Sequence, residues 1–182
     1  MADDEIVALV SQINQIATYY HALPDLPLPL PMRCIVLPSL LWEPDMLEQP
    51  LELALPKDLR ALWKRTSGLI LFEDLLFGLW GLVIWSPDQA LSRHTRYSND
   101  WADDDRCLRP GDLLIGEFLG DLEQIVIRCD PQQLDFGSVL IAQPIDPRED
   151  WPVVANSLSG FLTRFIETNL RRFGEKYWEH YR

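Results

Sequence analysis

The chain has 182 residues, and its 28 acidic and 16 basic side chains give a net charge of −12. An acidic body repels a phosphate backbone, so nucleic acid is excluded as the expected partner, and electrostatic steering favours a basic protein instead. A hydrophobic content of 47% with seven Trp supplies a sizeable core and excludes global disorder.

The length suits one domain over 1–182, with residues 1–54 as a helix and Pro-rich extension packed on a 55–173 core and 174–182 as an aromatic tail. No apolar run approaches the roughly 20 residues of a spanning helix, so no membrane partner is expected. Met1-Ala-Asp-Asp-Glu5 is acidic where a signal peptide needs a basic start. Cys34, Cys107 and Cys129 are an odd number without a Cys-x-x-Cys pair, which fits a reducing compartment, so the cytoplasm is the expected location.

Ile6, Val7, Leu9, Val10, Ile13, Ile16, Ala17 and Tyr20 recur at helical spacing behind Asp3 and Asp4, which predicts a helix from about residue 3 to 20. Five prolines between Ala22 and Pro38 rule out a long helix there. That stretch reads as an extended connector lying against the body through Leu26, Leu28 and Leu30, with a short extended segment at 34–37. Leu55-Pro56-Lys57-Asp58-Leu59 opens a second helix, buried through Leu59, Leu62 and Trp63 and ended by Ser67-Gly68. Residues 69–72 and 79–85 read as strands, and the odd separation of Trp80 and Trp85 sends their side chains to opposite faces. Ser86-Pro87-Asp88 restarts a helix to about residue 97, followed by an acidic loop at 99–105.

Pro110-Gly111-Asp112 makes a turn into a hairpin, with strands at 113–119 and 122–129 and a reversal at Gly120-Asp121. Residues 138–142 supply another strand. A final helix over 151–173 faces the core through Val154, Leu158, Phe161, Leu162, Phe165 and Ile166. Helices at both ends of an antiparallel run of strands read as an α+β fold, helices against one sheet.

The catalytic signals are weak. His21, His94 and His180 lie in separate regions without a His-x-x-x-His companion and read as surface or partly buried side chains, so no metal is expected. Asp100, Asp103, Asp104 and Asp105 lack the spacing of a calcium loop and read as a solvated acidic segment. Glu117, Asp121 and Glu123 lie on or beside the hairpin, where a charged face is a commoner reading than an acid–base pair. Gly111, Gly116 and Gly120 do not open a helix after a strand, so no phosphate-cradling loop is indicated and no cofactor is expected. Trp101, among carboxylates, is either an anchor for a basic partner or a ring tucked back onto the sheet.

Together these residues resemble the SUKH superfamily, the fold of fungal cell-wall-synthesis regulators, the bacterial Syd protein and many bacterial toxin-immunity proteins. The likeness runs over about 55–165. It rests on Leu55-Pro56-x-Asp58-Leu59-x-x-Leu62-Trp63 with Ser67-Gly68, on Pro110-Gly111-Asp112 through Gly116, Phe118 and Gly120-Asp121, on the Val139 strand, and on Phe161-Leu162. The resemblance implies a six-stranded antiparallel sheet backed by helices, no catalytic residues, and a protein partner bound on a concave surface around the sheet. In this chain that surface falls on Trp101, Asp103, Asp104 and Asp105, with Glu117, Asp121 and Glu123. It implies an immunity-type protein neutralising a basic, nuclease-like toxin, or else a housekeeping regulatory module that would depend on the N-terminal extension.

Overall fold

The computed structural model describes residues 2–16, 18–21, 30–43, 45–143, 145–171 and 176–177, so Leu26, Leu28, His180 and most of the aromatic tail lie outside it. Eight strands follow one another in chain order across a single antiparallel sheet. They are β1 (Thr18–His21), β2 (Leu30–Val36), β3 (Leu69–Asp74), β4 (Leu82–Ile84), β5 (Asp112–Phe118), β6 (Gln124–Arg128), β7 (Val139–Ala142) and β8 (Val153–Ala155). Five helices accompany them: α1 (Ala2–Ile16), α2 (Asp45–Leu51), α3 (Lys57–Arg65), α4 (Pro87–Asp100) and α5 (Leu158–Arg171).

Neighbouring residues of a strand point to opposite faces, and β5 shows which helices take which side. Phe118 meets Phe165 of α5 at a centroid distance of 5.9 Å, and Phe72 of β3 meets the same ring at 6.0 Å. Glu117 points the other way and pairs with Arg93 of α4 at 3.1 Å. Helices α1, α3 and α5 touch one another on the Phe165 side, and Leu59, Leu62, Trp63, Phe161 and Phe165 are buried there. The opposite face carries α4 alone among the helices longer than two turns.

Three polar contacts tie the helical layer together. The buried Asp58 carboxylate accepts from the Ser159 amide at 3.0 Å, so the first turn of α3 caps the start of α5. Ser157 Oγ accepts from the Gly160 amide at 3.1 Å in the same cap. The indole N–H of Trp63 donates to the Trp85 carbonyl at 2.9 Å, which joins α3 to the end of β4.

Several sequence expectations change. The first helix stops at Ile16, because Thr18–His21 pairs with β2 in the register Tyr20↔Pro31. β-Branched and aromatic residues fit a pleated surface, and pairing here outweighs helical spacing. The connector contains a full strand, β2, whose Pro31 lies near its end, where a missing N–H does least harm. The last helix starts at Leu158, because Val153–Ala155 pairs with β7 instead. The sheet therefore has eight strands where about six were expected: the 34–37 segment already reads as extended, and the two that the sequence does not predict are β1 and β8. Helix α2, short and carrying Pro50, had no sequence signal. The Ser86 capping box is present: Ser86 Oγ accepts from the Gln89 amide, and the Gln89 side chain accepts from the Ser86 amide, both at 3.2 Å.

The turn before β5 is held by a buried ion cluster. Asp112 Oδ1 accepts from Arg128 at 2.6 Å and from Arg148 at 2.8 Å, while Oδ2 accepts from Arg148 at 2.6 Å and from the Arg109 amide at 2.9 Å. Burial alone would raise the Asp112 pKa; the hydrogen bonds and charges of Arg148 and Arg128, with the Arg109 amide, outweigh it and hold the carboxyl below its usual value.

Asp112→Asn leaves the buried Arg148 guanidinium without a carboxylate and Arg128 with Asp135 alone, and is expected to lower stability by about 3–5 kcal/mol at neutral pH in urea denaturation. A depressed pKa contributes stability above the unfolded value of about 3.9, lost as pH falls through the folded value. The wild-type protein should therefore lose stability below about pH 4 more steeply than Asp112→Asn does. At the β5 bulge, a Cβ on Gly116 would stand 2.2 Å from the Val83 carbonyl oxygen. Gly116→Ala must push β4 from β5 and is expected to cost about 1–3 kcal/mol, read as a lower urea midpoint.

Candidate functional site

The face that α4 only partly covers holds a cleft of about 600 Å³ between the helix and strands β6 and β7. Arg93, Arg96, Trp101 and Arg106 form one wall, and Gln124 and Gln143 belong to the sheet side. Trp101 ends α4, its amide donating to the Tyr97 carbonyl at 3.0 Å. The Arg106 guanidinium lies 3.8 Å over the Trp101 ring and grips both oxygens of Asp104, at 2.6 and 2.8 Å. These bonds hold the Asp104 carboxyl well below the usual carboxylate range. Tyr97 donates its hydroxyl to the Arg106 carbonyl at 3.1 Å, and burial pushes its pKa up to about 12.

The predicted contact residues separate into two groups. Asp104 is spent on Arg106, and Glu117 on Arg93 with the Trp85 indole 3.4 Å away. Asp121 and Glu123 both hold Lys176, at 2.8 and 2.6 Å. Burial would lower the Lys176 pKa, and the two carboxylates outweigh it and raise it. Asp103 and Asp105 remain exposed and make no ion pair among the described residues. Trp101 is half-buried, tucked against Tyr97 and covered by Arg106 rather than presented as a bare ring.

Three further carboxylates join Asp103 and Asp105. The Arg148 amide donates to the Asp105 carbonyl at 2.8 Å, bringing the 146–150 segment alongside the 101–106 turn. Asp146, Glu149 and Asp150 thereby extend the acidic edge, and none of them makes an ion pair among the described residues. Sequence reading missed them because they lie more than forty positions from Asp103; their contribution follows from one backbone hydrogen bond. Among the described residues, no group of three or more His, Cys, Asp or Glu is placed to hold a metal ion, and no helix is long and apolar enough to cross a membrane.

Residues 42–164 match the description of the SMI1 / KNR4 family (SUKH-1), more than half of the chain. The chain belongs to that family. Its SUKH-1 match begins ahead of α2 and takes in the six strands β3 to β8, the number the resemblance implied. Helix α1 and strands β1 and β2 lie outside it, yet they are built into the same sheet and helical layer. No curated protein is similar enough to the chain to count as a match.

Because Glu123 and Lys176 are nearly buried and bonded to each other, Lys176→Met is expected to lower stability by about 1–3 kcal/mol. Asp103→Ala and Asp105→Ala should each stay within about 0.5 kcal/mol of wild type. Urea midpoints of the three variants distinguish the structural carboxylate cluster from the freely exposed one.

Proposed function

We propose that this chain is a non-catalytic protein-binding domain of the immunity type, which neutralises a basic, nuclease-like toxin by covering its active site in the cytoplasm. The observation that carries this reading is the acidic edge of Asp103, Asp105, Asp146, Glu149 and Asp150, whose charges are not spent on internal partners among the described residues. Toxins that act on nucleic acid carry Lys and Arg to hold phosphates, and such a surface meets this edge with complementary charge. Membership of the SUKH-1 family supports a binding role. The carboxylates considered for acid–base work, Glu117, Asp121 and Glu123, are tied up in ion pairs with Arg93 and Lys176, which argues against an enzyme. The domain is proposed to span the whole chain as one unit, since α1 and β2 contribute Ile6, Leu9, Ile13 and Met32 to the core.

A second reading, a housekeeping regulatory module, draws on the N-terminal strands that lie outside the family match and place β1 at an open edge of the sheet. Deleting residues 1–38 does not separate the two, because it would strip buried core residues from α1 and β2.

Charge reversal at the rim does separate them. Partners are captured from the source cell on the immobilised protein, and association rates are measured at low and moderate salt. Under the toxin reading, a basic partner binds with a rate that falls as salt rises, and Asp103→Lys with Asp105→Lys slows association at least tenfold. An association rate unchanged by salt and by both reversals would refute the rim as the contact surface.

A further inference from the structure

The cleft beside the rim has the opposite chemistry. Three arginines and one aspartate lie on its lining, in a chain of net charge −12. Arg93 and Arg96 are three residues apart on α4 and so share a helical face. Two guanidinium groups are already set in place. Arg106 is fixed by Asp104 and stacked on Trp101, and Arg93 lies 4.6 Å over the Trp85 ring while pairing with Glu117.

Arg96 is different. Its side chain is 85% exposed and pairs with Asp100 at 3.5 Å, the kind of surface contact that contributes little and gives way to a stronger anion. On the sheet side, Gln124 Oε1 is buried and accepts no hydrogen bond from a described residue. Buried acceptors are ordinarily satisfied, so this one suits a ligand that brings an N–H donor.

Guanidinium forks match phosphate oxygens in pairs, and the planar Arg106 guanidinium, set over Trp101, suits a flat ring system. The volume lies within the range of small-molecule sites. We propose that this cleft binds a phosphorylated heterocycle of nucleotide size, with its phosphate on Arg93 and Arg96, its ring on the Arg106 guanidinium that covers Trp101, and a ring N–H donating to Gln124 Oε1. The site is independent of the toxin reading, since no rim carboxylate takes part in it.

The probe is AMP, with inorganic phosphate and adenosine as its two halves, titrated at low salt by calorimetry and by amide chemical shifts. Saturable AMP binding is expected, with shifts concentrated at residues 92–106, 122–124 and 142–143. Arg93→Gln with Arg96→Gln should weaken it at least tenfold, while urea denaturation shows the variant folded. Gln124→Leu should weaken AMP and adenosine and leave inorganic phosphate unchanged. Absence of saturable binding at millimolar AMP overturns the proposal, as does AMP affinity indifferent to the double arginine substitution. Inorganic phosphate binding as tightly as AMP overturns the assignment of the ring to Arg106 and Gln124.

Discussion

The Asp112 carboxylate organises the functional end of the molecule. It sits at the start of β5, wholly out of solvent, and its two oxygens take Arg128 from the end of β6, Arg148 from the 146–150 segment and the Arg109 amide of its own turn. A buried ion cluster of this kind adds little net stability over apolar packing, because desolvation offsets most of the attraction. What it decides is position. Arg148, held there, lies 5.0 Å over Trp151, whose ring meets Tyr97 of α4 at 6.5 Å. Tyr97 in turn bonds the Arg106 carbonyl, and Arg106 covers Trp101. The placement of α4, the acidic turn and the 146–150 segment therefore passes through one carboxylate.

The sheet is asymmetric for a related reason. One face is sealed by three mutually packed helices and a cluster of phenylalanines around Phe165. The other is covered by α4 alone, and the partial cover leaves room for a cleft with polar walls. Internal pairing then redistributes the chain's negative charge. Glu117, Asp104, Asp121 and Glu123 share the three cations Arg93, Arg106 and Lys176, while Asp103, Asp105, Asp146, Glu149 and Asp150 make no ion pair among the described residues. An acidic edge thus borders an arginine-lined cavity, two chemistries that a single net charge conceals.

Local signals were legible wherever a residue acts on its neighbours. Ser86-Pro87-Asp88 marked the start of α4, Pro56 the start of α3, and Gly120-Asp121 the hairpin between β5 and β6. The signals failed where a segment's partner lies far away in the chain. Thr18–His21 continues the helical spacing of α1 yet pairs with β2, and Val153–Ala155 leads into α5 yet pairs with β7. The site shows the same division. Trp101 and the acidic turn were visible as composition, whereas the capture of Asp104 by Arg106, the pairing of Asp121 and Glu123 with Lys176, and the arrival of Asp146, Glu149 and Asp150 were not.

By itself the sequence determined the α+β class, the hairpin, the burial of Leu59, Leu62, Trp63, Phe161 and Phe165, and an acidic surface, because periodicity, turn chemistry and net charge are properties of the chain. Only the tertiary structure decided which carboxylates keep their charge exposed and which are neutralised. An ion pair depends on where its partner stands in space, and contacts such as Asp112 with Arg148 or Lys176 with Glu123 join residues separated by tens of positions along the backbone.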